Sequence, residues 1–203
     1  MRSVCRLVIF PWLVLILLTS IVAQNHSLLF AAHSPSVVFT YVNSFVNGQI
    51  GSGYGTAQYE PLSPGSLEAG DIVLGGWNNC AYGKYSHAGL YIGNNQVLEG
   101  YVDYGLTVQP LEHYMDYVNL CLLHIKAAPQ IKKQAVSYAL KHEGDMFYPV
   151  AFKSGERYWN CSKIIWKAYQ NNGINLDEIN DLWIAPDAFC RSRYAYCVYK
   201  RGD

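Results

Sequence analysis

"YSHAGLYIGNNQVLEGYVDY", residues 85–104, reads as two strands joined by a tight turn. "SHAGLYIG" and "QVLEGYVDY" carry β-branched and aromatic residues. Asn94 and Asn95 between them tolerate the positive φ that short hairpin turns need. Register decides which side chains meet, because the side-chain period of a strand is two. A three-residue turn over Asn94–Gln96 pairs Gly93 with Val97. It places His87, Gly89, Tyr91, Glu99, Tyr101 and Asp103 on one face, with Asp103 directly opposite His87. A two-residue turn at Asn94–Asn95 sends Glu99 to the other face.

Outward from this hairpin the elements alternate in kind. "LEAGDIVLGGW" (67–77) is a turn followed by a short apolar strand, with Asp71 read as fixing the turn. "VNLCLLHIKA" (118–127) is a further strand. "PQIKKQAVSYALKHEG" (129–144) is a helix opened by Pro129 and stopped by Gly144, with Ile131, Ala135, Tyr138 and Ala139 on its apolar face. "NCSKIIWKAYQNNG" (160–173) is a second helix, with Asn160 as N-cap, Ile164, Ile165, Ala168 and Tyr169 facing inward, and Gly173 as its stop. Cys161 is read as lying off that apolar face, beside polar Ser162 and Lys163. The tail ends in a strand-like run. Strands, then two helices, then a strand predict one α+β domain with an antiparallel sheet. Upstream, "SVVFTYVNSFV" (36–46) fits helix or strand, and the Gly-, Ser- and Pro-rich residues 47–66 read as loop.

The amino terminus has the layout of an export signal. Arg2 and Arg6 precede an uncharged run, Leu7 to Ala23, which is followed by polar "QNHS". Cleavage is expected near Ala23, giving a signal at 1–23, an extension at 24–66 and the main domain at 67–203. The alternative is an uncleaved anchor, since about 17–25 apolar residues span a bilayer. A secreted or cell-envelope location follows in either case, with membrane contact only if the segment is uncleaved. Asn25 opens a glycosylation sequon. Lys+Arg and Asp+Glu balance at 15 each, so charge supplies no reason to expect nucleic acid as a partner. Of six cysteines, Cys5 leaves with the signal. The remaining five cannot all pair within the chain. Cys190 with Cys197 is the expected bridge, Cys80 with Cys121 a weaker one, and Cys161 is left over. There is no CxxC or HExxH spacing, hence no support for a metal site, and no cofactor is implied.

A lone cysteine at a helix N-terminus is suited to chemistry. The helix dipole and a nearby imidazole both lower a thiol pKa, and the N–H groups of the first turn can receive an oxyanion. It could equally be half of a disulfide or a small buried hydrophobe. Among the histidines, His26 and His33 lie in the extension, His113 and His142 read as surface, and His124 reads as a satisfied core residue. His87 opens a strand beside a Gly- and Tyr-rich loop, where a sheet presents side chains to a cleft.

"LEAGDIVL", "YSHAGLYIGNNQVLEG", "KHEGDMFYPVAF" and "YWNCSKIIWKAY…GINL", in that order, resemble the circularly permuted papain-like hydrolases of the NlpC superfamily, closest to the YiiX-like branch. In that branch the histidine strand precedes the cysteine helix, as here. The resemblance covers residues 67–177. It implies a permuted papain-like fold in which an antiparallel sheet packs against the cysteine helix. It also implies Cys161 as nucleophile, His87 as general base and Glu99 as the residue that orients it, while hairpin geometry alone nominates Asp103. Tyr148 is implied near the oxyanion, with aromatic packing as the alternative. The activity implied is hydrolysis of an amide, of peptide or cell-wall type, through an acyl-enzyme. Relatives on the same scaffold act on acyl-lipids, and a binding module without turnover is the rival outside enzymology.

Overall fold

The computed structural model describes residues 2–26, 36–55, 65, 67–179 and 181–202, with side chains described from residue 9 onward. Six strands form one sheet: β1 (Ile72–Gly76), β2 (His87–Gly93), β3 (Gln96–Tyr101), β4 (Gly105–Pro110), β5 (Asn119–Ile125) and β6 (Ala195–Arg201). Their order is β4-β3-β2-β1-β5-β6 and every pairing is antiparallel. The helices are α1 (Arg2–Gln24), α2 (Val37–Val46), α3 (Pro129–Leu140), α4 (Cys161–Gln170) and the short α5 (Asp187–Arg191). The segment left open between helix and strand is therefore helical, as α2.

The two faces of the sheet are covered differently. Ile72, Leu74, Leu90 and Leu98 project into a core with Ala135 and Ala139 of α3 and Ile164, Ile165 and Ala168 of α4. Val73, Tyr91, Val97, Leu120 and Leu122 project the other way, under Leu111 and Tyr114 of a 3-10 turn spanning Leu111–Asp116. Cys161 belongs to the first core and is nearly buried. Its spacing to Ile164, Ile165 and Ala168 is i, i+3, i+4 and i+7, so it lies on the apolar face rather than off it. Ser162 and Lys163 are buried too.

The β2–β3 hairpin resolves the register question in an unforeseen way. Its turn has two residues, Asn94 and Asn95, both left-handed at φ 52° and 56°, and Gly93 pairs with Gln96. On that basis Glu99 should turn away from His87. A bulge between Tyr91 and Gly93 shifts the ladder by one, so that Tyr91 pairs with Val97 and Leu90 with Leu98. The shift returns Glu99 to the face of His87, where it falls opposite Gly89, with Tyr101 opposite His87. Asp103, the geometric nominee, is an exposed turn residue beyond the end of β3. It loses its place because the strand stops at Tyr101 and a new strand, β4, starts at Gly105.

Asp71 ties three elements together. Its carboxylate accepts from the Glu68 N–H (2.8 Å), closing the turn before β1. It also accepts from the Ile125 N–H at the end of β5 (3.0 Å) and from Lys132 Nζ on α3 (2.8 Å), with His124 Nδ1 at 3.1 Å. Lys132 is buried and also reaches Glu68 at 3.0 Å. His124 is accordingly a satisfied structural residue.

The extension is fastened to this body. Ser36 caps α2 through the Phe39 N–H (3.1 Å), and the Val37 N–H donates to Asp181 (2.8 Å). Tyr54 bridges to Asn78, and the Ala81 N–H donates to the Gly51 carbonyl (2.9 Å). Residues 56–64 and 66 of the expected loop, His33, and Ser27 of the sequon lie outside the described residues. Apolar side chains of α1, Phe10, Trp12 and Leu17 among them, are exposed. Among the described residues, no helix is long and apolar enough to cross a membrane.

The expected Cys190–Cys197 bridge is absent, and both thiols are free. Cys197 pairs with Leu123 across β5–β6, which turns it toward the face of Cys121, and the two sulfurs lie 3.4 Å apart. Cys80 and Cys121 are likewise unjoined.

Replacing Asp71 by alanine leaves Lys132 as a buried cation without its closest partner. A loss of about 3–5 kcal/mol is expected in urea unfolding. The double variant Asp71→Ala/Lys132→Met should recover much of that loss, and a fully additive double variant would contradict this account.

Candidate active site

The site forms where the N-terminus of α4 meets the start of β2. Asn160 caps the helix: its Oδ1 accepts from the Ser162 N–H (3.1 Å) and the Lys163 N–H (2.7 Å). A cap of this kind is worth about 1 kcal/mol. It also consumes two of the N–H groups expected to receive an oxyanion, so the donor of the first turn left over is the Cys161 N–H. Lys163 bends back, donating to the carbonyls of Tyr158 (2.7 Å) and Ser154 (3.3 Å), which pins the loop that leads into the helix.

Cys161 and His87 lie together. The thiol and the His87 ring interact, and Ser162 Oγ lies 3.9 Å from the sulfur. Burial by itself would raise the thiol pKa, but the imidazole outweighs it and the thiol lies below its ordinary value. For His87, burial opposes the charged form, yet the hydrogen bonds to Cys161 and Glu99 win and raise the imidazole to about 10. Both shifts favour the thiolate and imidazolium forms of the pair.

Glu99 sits behind the histidine, fully shielded from water. Its Oε2 lies 2.7 Å from His87 Nε2 and accepts from the Tyr114 hydroxyl at 2.8 Å. Burial would raise this carboxyl, but hydrogen bonds to His113 and His87 hold it down at about 2. Two glycines make the room. A Cβ on Gly89 would come within 2.2 Å of Val97 and 2.5 Å of the Tyr114 hydroxyl, and one on Gly75 within 2.3 Å of the Tyr117 ring. Tyr101, Tyr114 and Tyr117 stack against His87 with ring centroids at 5.2, 5.9 and 6.2 Å. The imidazole is therefore held by an oriented carboxylate and three phenol rings.

Sequence reasoning missed part of this constellation. His113, read as a surface residue, is half-buried in the 3-10 turn, with Nε2 3.0 Å from Glu99 Oε1. No periodic pattern marks it, since the turn after β4 was not recognised as an element. Tyr148 is half exposed, and its ring lies 6.2 Å from that of Tyr158. The phenols close enough to Cys161 for charge interaction are Tyr82, Tyr101 and Tyr117. His142 pairs with Asp145 (2.7 Å) beneath Trp159, away from the thiol. A polar cavity of ≈ 480 Å³ is lined by Gln49, Trp77, Asn78, Lys84 and Asn119, with Cys161, His87 and Glu99 outside its lining. The Trp77 ring lies 5.1 Å from that of Tyr117.

The family model described as permuted papain-like amidase enzyme, YaeF/YiiX, C92 family, matches residues 66–185. A solved structure, titled as the metalloprotein yiiX from Escherichia coli O157:H7, superposes with a TM-score of 0.56 at 16% identity, covering 66% of this chain and 97% of that one. No curated protein matches. Among the described residues, no group of three or more His, Cys, Asp or Glu side chains is arranged to hold a metal ion, so these residues do not fit the metal of that title.

The thiolate–imidazolium pair predicts a particular alkylation profile. Iodoacetamide should modify Cys161 well below the ordinary thiol range of about 8.5. In His87→Ala the onset should move above that range, because burial then acts on the thiol unopposed. His87 loses its proton as pH rises through about 10, and turnover should fall there. The same onset in both proteins would overturn the pairing.

Proposed function

Because the chain belongs to the permuted papain-like amidase family and is a cysteine hydrolase, we propose that Cys161, His87 and Glu99 form its triad and that it cleaves an amide of peptide or cell-wall type. The single observation that carries this reading is the His87 ring set between the Cys161 thiol and the buried Glu99 carboxylate, which lies 2.7 Å from its Nε2. In this reading the Cys161 sulfur attacks the acyl carbonyl and the negative charge moves to oxygen, where the Cys161 N–H can receive it. The tetrahedral intermediate collapses, and the imidazolium of His87 gives its proton to the departing amine. The acyl-enzyme thioester is then attacked by water, from which His87 takes a proton, and sulfur leaves as the thiolate beside the imidazolium. Glu99 holds the ring through Nε2, leaving Nδ1 to the sulfur, and stabilises its charged form.

The apolar amino-terminal run supports an extracytoplasmic setting, secreted or in the cell envelope. A second reading for the substrate rests on a specific surface. The loop leading into α4 exposes Met146, Tyr148, Val150, Phe152 and Tyr158. An exposed apolar loop that runs into the nucleophile's helix suits an acyl chain, which favours ester or thioester substrates on lipids. The chemistry up to the acyl-enzyme is the same for both.

Cys161→Ala should abolish turnover, and His87→Ala should lower kcat by about 10²–10⁴. Fluorogenic peptide amides, stem-peptide fragments of cell wall and acyl thioesters, followed by mass spectrometry for an acyl adduct on Cys161, separate the two substrate classes. Cleavage of none of them, with no adduct, would sink the hydrolase assignment to this triad.

A further inference from the structure

His113 stands at the far side of the Glu99 carboxylate from His87. Its Nδ1 is 2.6 Å from the Pro110 carbonyl, which can only accept, so Nδ1 carries hydrogen. Its Nε2 is 3.1 Å from the Tyr101 hydroxyl and 3.0 Å from Glu99 Oε1, a buried oxygen that has no hydrogen bond of its own. A bare Nε2 could accept from the Tyr101 hydroxyl but would set a lone pair against the carboxylate, whereas a protonated Nε2 faces it as an ion pair. The ionisable groups that face His113 are Glu99 and Tyr101 from β3, His87 from β2 and Tyr114 from its own turn. Among these, the carboxylate is the only anion at neutral pH.

We propose that His113 is a positioning residue that stays protonated and balances the charge of Glu99, so that the His87 imidazolium and the Cys161 thiolate can coexist in the interior. The inference rests on the triad reading above. With His113 charged, the buried group holds two negative and two positive charges. With His113 neutral it holds a net negative charge in a setting of low dielectric, where an unbalanced charge is expensive. In that case Glu99 binds its own proton more readily, and its grip on the imidazolium weakens. The shifts agree in direction: His113 lies above its ordinary value because the Glu99 contacts outweigh burial, and it leads the influences that lower Glu99. His113 touches neither thiol nor substrate in this scheme and acts through Glu99 alone.

The test is the pH profile of Cys161 alkylation by iodoacetamide in wild type, His87→Ala, His113→Gln and His113→Lys. His113→Gln keeps a donor without the charge. Its acid limb should move up by about one pH unit, kcat should fall about tenfold with little change in KM, and His113→Lys should restore part of both. A His113→Gln profile that superimposes on wild type, while His87→Ala still shifts the onset, overturns the proposal and leaves the triad standing. A His87→Ala profile identical to wild type overturns the triad and this proposal with it. In the unmodified protein, 15N NMR of the imidazoles supplies an independent check. His113 should remain doubly protonated above pH 7, and titration as a free imidazole near pH 6.5 refutes the proposal even if the variants do not fold.

Discussion

A carboxylate shut away from water dictates the arrangement of the site. Glu99 has no solvent to share its charge, so every polar atom within reach is recruited: His87 and the Tyr114 hydroxyl on one oxygen, His113 on the other. Such an anion is costly unless it is paired, and truncating a partner costs more than the pair contributes. That requirement explains the glycines at 75 and 89, which clear the space, and the tyrosines of the 111–117 segment, which roof it. It also explains why the histidine ring cannot drift. Its Nε2 is committed to Glu99, and so the sulfur meets a base already oriented.

The fold was legible where the chain follows simple periodicities. The strands at 72–76, 87–93 and 119–125 and both long helices announce themselves through apolar runs, a proline start, an asparagine cap and glycine stops. Motif order points to Cys161, His87 and Glu99, although Glu99 follows from resemblance and not from pairing arithmetic. The bulge at Ile92 defeated that arithmetic, because nothing in "LYIGNN" marks an extra residue in a ladder. His113 escaped for a related reason. A 3-10 turn buries side chains without a long repeat, and a histidine among Glu112 and Asp116 reads as solvated. Cys190 and Cys197 both lie against Cys121, so the nearness expected from their spacing is present, yet no bridge joins them.

Permuted order has a structural logic here. The histidine and its carboxylate come from one hairpin, so their mutual geometry is local and set by its turn and bulge together. The nucleophile arrives more than fifty residues later on a helix whose apolar face includes the cysteine itself. Packing of α4 on the sheet and placement of the sulfur are thus one event. Lys163 and Asn160 then secure the entry to that helix from either side.

The paired irregularities of the β2–β3 hairpin impose a parity rule on its evolution. A two-residue tip alone would aim the carboxylate at the helices, and the bulge alone would do the same with a three-residue tip. Either change is tolerable only in the company of the other. Length variation at this tip should therefore come in compensated steps of two, and a lineage that loses one residue from Asn94–Asn95 must also straighten the strand at Ile92 or surrender its acid.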